Sequence, residues 1–159
     1  QPDRTGSRRL HARAAAAHAK AASGKPDEFI GDMLLEDLLS ASTDETRASL
    51  ALAVGLNGHL EAAPKMLRML REHEGDSRTA GYLCIGLGLL RDDGATQMLT
   101  EVMQRSTRRP FLLQQAAVAL GCLGDRHANE RLVQLIKESD SVAVLAAIAS
   151  AISRIGDRS

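Results

Sequence analysis

Aromatic side chains are nearly missing from this sequence, which has one Tyr, two Phe and no Trp. A core without aromatic bulk must be filled by Leu, Ile, Val, Met and Ala, and small side chains of that kind suit close helix-on-helix packing. β-Branched and aromatic residues are too sparse to build several strands. The same scarcity removes the stacking platforms on which nucleic-acid bases are usually held. Cysteine is nearly as rare. Cys84 and Cys122 are too few for a disulfide framework and have no metal-ligand spacing. Each lies in a run of small apolar residues, where a buried, reduced thiol is expected. Neither sign of charge is in excess, with 20 basic and 20 acidic residues, which argues against a dedicated nucleic-acid binder. No apolar run reaches membrane-spanning length.

What is present is a chain of one-domain size, 159 residues, of which 44% are hydrophobic. That is enough to bury a core and too apolar for a disordered tail. Charge is unevenly spread. Residues 1–26 carry Arg4, Arg8, Arg9, Arg13, Lys20 and Lys25 against Asp3 alone, so the neutral total leaves the remainder acidic. The chain opens on Gln1 rather than Met, which leaves a removed signal peptide open. The cytoplasm is the expected compartment, with secretion or the periplasm as alternatives.

Stacking the sequence on itself reveals a repeat. The segments 88–103, 121–136 and 153–159 align so that Leu90, Leu123 and Ile155 share a column, at spacings of 33 and 32 residues. Asp92, Asp125 and Asp157 follow two residues later, and Leu99 and Leu132 are again 33 apart. An earlier copy runs over 55–70, with Leu56 in the first column and an extra residue in its turn. A fainter copy at 22–39 has Gly24-Lys25-Pro26-Asp27 in the turn position. Two apolar segments joined by a tight polar turn make a helical hairpin repeat.

Within each unit the periodicity is helical. Ala128, Leu132, Leu135 and Ile136 mark one face of a helix, as do Ala95, Leu99, Val102 and Met103. The other segment of each unit is smaller and more apolar, so it is expected to be the more buried helix. Ser42 and Glu45 have the spacing of a capping box. Pro64 and Pro110 suit a first helical turn, and Gly58, Gly94 and Gly124 suit turns that need left-handed backbone. Gly81, Gly86 and Gly88 inside one helix point to close approach of a neighbouring helix. Helices are therefore expected over 7–22, 27–40, 43–56, 61–73, 77–90, 94–105, 110–122, 127–138 and 141–155.

The expected fold class is all-α, a right-handed α-solenoid of about four helical hairpins with an unpaired C-terminal helix. Residues 1–26 read as a basic segment that includes the first repeat helix, and 27–159 as the repeat domain, cut short at its end. The last helix, 141–155, stops where earlier copies turn into their second helix. Val144, Leu145, Ile148, Ile152 and Ile155 cannot all be covered by the preceding hairpin. Further repeats of a longer parent, or a second copy of the chain, are expected to cover them.

Leu123-Gly124-Asp125, followed by an Ala and the Leu-rich helix with Leu132, Val133, Leu135 and Ile136, resembles the HEAT repeat. It is most similar to the short form known as the phycobilisome-lyase-like HEAT repeat. Glu61-Ala62-Ala63-Pro64 is similar to the Ala-x-Pro stretch that opens the second helix of such repeats. The resemblance covers about residues 22–159. It implies an armadillo-like superhelix, and these repeats serve scaffolds, adaptors, lyase subunits and a few enzymes.

The enzymatic and ligand-binding possibilities are thin. Metal enzymes of the wider family would require paired His-Glu dipeptides, and only His73-Glu74 exists, read as a solvated helix end. His11 and His18 lack acidic or thiol neighbours, and His59 and His127 fall in turns where any polar residue is at home. No set of three or four ligands can be assembled, so neither metal nor cofactor is expected. DNA glycosylases of the family would need aromatic stacking and a basic groove. Chromophore attachment, as in the lyases, would call for a reactive surface cysteine. Asp92-Asp93 reads as turn and cap chemistry.

What remains is a surface. Stepping by one repeat, Arg68, Glu101 and Gln134 form one stripe on the second helices, and Arg71, Gln104 and Lys137 the next, flanked by Lys65 and Arg131. The resemblance implies that these helices line the concave side. The expected function is a non-catalytic module that holds a protein or peptide on this face. One alternative is a lyase-like or accessory enzyme subunit with a small ligand in the groove. Another is nucleic-acid binding through the basic start and the Ser106-Thr107-Arg108-Arg109 loop.

Overall fold

The computed structural model describes residues 26–123, 126–138 and 140–156, without the side chains of residues 26–27, 126–129, 131, 138 and 150–156. The expected helix over 7–22, the Gly24-Lys25 turn, Gly124, Asp125 and residues 157–159 lie outside this description. Helix α1 spans Pro26–Ser40, α2 Asp44–Asn57, α3 Ala63–Glu72 and α4 Ser77–Leu90. They are followed by α5 Thr96–Arg105, α6 Pro110–Leu123, α7 Arg126–Glu138 and α8 Val142–Gly156. Single 3-10 turns, Leu60–Ala62 and Asp93–Ala95, lead into α3 and α5. No strand occurs among the described residues, and the chain is all-α there.

The repeat is more regular than the sequence suggests. Helices α2, α4 and α6 begin and end 33 residues apart, as do the two 3-10 turns and helices α3 and α5. The turn after α2 therefore has no extra residue, and Leu56 is not in the column of Leu90 and Leu123. Asn57 is. Leu56 points outward at 75% exposure, whereas Leu90 and Leu123 are buried. Apolar character alone does not mark the column, because Leu56 faces solvent and the polar Asn57 takes the inner place.

The packing follows the composition. Helix α2 lies along α4, α4 along α6, and α6 along α8, and these are the most extensive helix contacts in the molecule. Small residues set their separation. A methyl group at Gly55 would fall 2.6 Å from the Gly86 carbonyl oxygen, and one at Gly88 would fall 2.6 Å from that of Ala119. The helix row thus touches backbone to backbone at equivalent points of successive units. Gly81 differs, because the Phe111 ring fills the space beside it.

The remaining helices dock on this row. Three of them pack mainly on the helix that follows in the chain, α1 on α2, α3 on α4 and α5 on α6, whereas α7 packs mainly on α6, which precedes it. Met66, Met69 and Leu70 of α3 are buried, as are Met98, Leu99, Val102 and Met103 of α5. On α7 only part of the expected face goes inward. Leu132 and Leu135 are buried, while Ile136 and Val133 are exposed at 39% and 48%. Spacing alone places Ile136 on the inner face, but its position one step round from Leu135 leaves it at the rim.

The turns contain two further corrections. The cap of α2 is Thr43 rather than Ser42: its backbone is extended, and its Oγ1 accepts the Thr46 N–H at 3.2 Å. Arg47 donates to the Ala41 carbonyl and to Asp44, each at 2.7 Å, which fixes the turn one residue later than the capping-box spacing implied. Gly58 does adopt left-handed backbone, with φ +75°, but Gly94 does not. The second unit makes its left-handed residue at Arg91, φ 56°, the place equivalent to Gly58. Pro64 and Pro110 both sit in first helical turns, where the missing N–H costs nothing.

Candidate functional site

The expected surface strip lies on α3, α5 and α7. Lys65, Arg68, Arg71, Gln104, Gln134 and Lys137 are exposed, and Glu101 is half-buried. The Arg131 side chain lies outside the description. Glu101 is not idle: Gln97 Nε2 donates to it at 3.0 Å, and Arg105 approaches it at 3.8 Å. Apolar residues on the inner faces hold these helices in place, so the strip is displayed on anchored backbone.

The Ser106–Arg109 loop turns out to be mostly structural. The Arg109 guanidinium donates to the Glu74 carbonyl, to the Gly75 carbonyl at 3.0 Å and to Ser77 Oγ at 2.8 Å. One arginine thereby closes the turn between α3 and α4, satisfying two carbonyls of that turn that no helix hydrogen bond reaches. Arg105 adds a bidentate contact to the Glu74 carboxylate at 2.9 and 3.2 Å. His73-Glu74 is therefore no mere solvated helix end, since Glu74 joins α3 to α5. Arg78 and Glu45 make a looser link of the same kind, at 3.5 Å between exposed groups.

Cys84 is not poised for attachment chemistry. Cys84 is fully buried, and burial pushes its thiol far above the ordinary value, so it stays protonated. Cys122 is only half-buried, against the expectation for it, and packs at the edge of the core. At the start of α4, Asp76 accepts the N–H groups of Arg78 and Thr79 at 3.0 and 3.1 Å. Its carboxyl is held below the ordinary value, first by the Thr79 side chain and then by those two N–H donors, with partial burial opposing them. The Thr79 hydroxyl itself falls short of hydrogen-bond geometry.

A second constellation was not foreseen. Between α1 and the turn after α2 lies a pocket of about 330 Å³, lined by Glu28, Asp32, Asn57, Gly58, His59, Leu60 and Glu61. Candidate ligand atoms of Asp32, His59 and Glu61 lie within 4.8 Å of one another. Three side chains that could act as ligands therefore do meet, contrary to the expectation that no such set can be assembled. Part of the signal was legible. In the 33-residue register His59 stands where Asp92 stands in the next unit. The partner on α1, Asp32, has no repeat position that marks it, and only the fold brings it in.

No family model, curated protein or solved structure matches this chain. No helix among the described residues is long and apolar enough to cross a membrane.

Proposed function

We propose that this chain is a non-catalytic binding module, a HEAT-like solenoid that holds a protein or peptide on the exposed face of α3, α5 and α7. The observation that carries the reading is the row of long polar side chains, Lys65, Arg68, Arg71, Gln104, Gln134 and Lys137, exposed on three helices whose opposite faces are locked in the core. Such a surface is ordered before binding, so little conformational entropy is lost when a partner docks. Cations outnumber anions along the strip, which favours an acidic segment in the partner and a salt-sensitive complex. The exposed side of α8, with Val142, Ala143, Ala146 and Ala149, supports self-association as a second contact.

The test is site-specific photocrosslinking in the native host. A photoreactive residue at Arg68, Gln104 or Gln134 should capture the same protein, and one at Glu45 or Ser49 of α2 should not. Equal capture from both sets, or none from the strip, would sink this reading.

A further inference from the structure

The pocket beside α1 departs from the repeat at Asn57, His59 and Glu61, which stand where the next unit has Leu90, Asp92 and Gly94. In the next unit Asp92 accepts the Gly94 N–H at 3.3 Å and so caps its 3-10 turn. His59, in the same place, makes no capping hydrogen bond. Its side chain is instead folded inward, with the residue 9% exposed. Two residues earlier, the buried column of Leu90 and Leu123 is occupied by Asn57. Gly31 of α1 makes room for both: a methyl group there would fall 2.5 Å from the His59 ring and 2.7 Å from Asn57 Oδ1.

These substitutions leave buried polar atoms without partners. Neither His59 Nε2 nor Asn57 Oδ1 has a hydrogen bond. The His59 Nε2 lies 3.2 Å from Asp32 Oδ1, close enough for an ion pair if the ring is protonated, yet outside hydrogen-bond geometry. Leaving buried polar atoms unsatisfied is costly, and an ion or water at the site is one way a native structure offsets that cost. Every charged side chain lining this pocket is a carboxylate: Glu28, Asp32 and Glu61.

We propose that Asp32, His59 and Glu61 bind one divalent transition-metal ion of the zinc class, with water filling its remaining positions. One imidazole and two carboxylates are a donor set that zinc accepts, whereas magnesium and calcium prefer oxygen alone. Ligand atoms around a zinc ion sit about 3–4 Å apart, given bonds of about 2.1 Å. The observed spacing needs only a small contraction, which the exposed Asp32 and Glu61 side chains can make. The ion would tie α1 to the turn between α2 and α3, replacing the cap that the other unit gets from Asp92. This inference is independent of the binding role proposed for the α3–α5–α7 face.

The experiment is calorimetric titration of the full chain with Zn²⁺, beside an Asp32→Asn/Glu61→Gln double variant whose helicity is checked by circular dichroism. Both changes are at exposed positions, so the fold should survive them. The wild type should bind one Zn²⁺ per chain, with the double variant at least about tenfold weaker. A His59→Gln variant should lose affinity to a similar degree, and excess Mg²⁺ should not displace the ion. Binding that persists unchanged in the double variant would belong to other side chains, such as His11 and His18, and would overturn the assignment. So would the absence of wild-type binding at about 1 mM Zn²⁺, an affinity too weak to matter, or full displacement by Mg²⁺.

Discussion

Gly58 and Arg91 hold equivalent places in successive units, and both take left-handed backbone, where only glycine is free of strain. The Arg91 N–H still bonds the Gly88 carbonyl at 3.3 Å, as Gly58 does that of Gly55 at 3.2 Å, so the turn is imposed by its neighbours. Arg91→Gly should therefore stabilise the protein by about 1 kcal/mol, read from urea unfolding. Loss of stability would mean that the arginine side chain contributes more than its backbone costs. A different effect attaches to Asp76. Its carboxyl is easier to ionise folded than unfolded, so it adds stability above the unfolded value that is lost as pH falls through the folded one. Between about pH 5 and pH 2, Asp76→Asn should lose less stability than the wild type when both are followed by thermal melting. Parallel curves would show that the cap is indifferent to charge.

At the scale of the helix, the closest contacts are made by residues with the least to offer. Gly55→Ala raises helix propensity by about 1 kcal/mol but drives a methyl group into the backbone of α4, which cannot move aside as a flexible side chain can. The net effect should be a loss of about 1–2 kcal/mol in denaturant unfolding. A gain would show that α2 and α4 are free to separate. These crossings also explain what the sequence disclosed. Helical periodicity and the run of glycines in α4 announced both the elements and their close approach, because each depends on local spacing. The cap at Thr43 and the rim position of Ile136 were missed, since neighbouring residues can play either part until tertiary contacts choose. The metal-class pocket was half legible: His59 breaks a column, but Asp32 meets it only through the packing of α1 on α2.

For the molecule as a whole, α8 is the element least provided for. Val144 and Ile148 are buried, so part of the expectation for this helix is met by the chain itself. The Ile152 and Ile155 side chains lie outside the description. Its other side exposes Val142 at 80%, with Ala143, Ala146 and Ala149 also open. Sedimentation of the 159-residue chain should show concentration-dependent self-association, and Val142→Glu with Ala146→Glu should restore the monomer. A monomer at every concentration in the unaltered chain would mean that α8 needs no cover.

Because α2, α4 and α6 keep one spacing and meet through equivalent small residues, the middle unit should be removable as a whole. Removing residues 59–91 would join Gly58 to Asp92, so that a left-handed glycine runs straight into a capped turn. Helix α2 would then meet α6, with Gly55 set against Ala119 as Gly88 is now. The shortened chain should fold with the same helical spectrum and a lower melting temperature, since fewer units share the core. Collapse to an unfolded state would show that the copies, for all their likeness, are not exchangeable. If it folds, the length of this protein is a quantity that can be edited in whole steps, and the surface it displays can be shortened or extended by the same count.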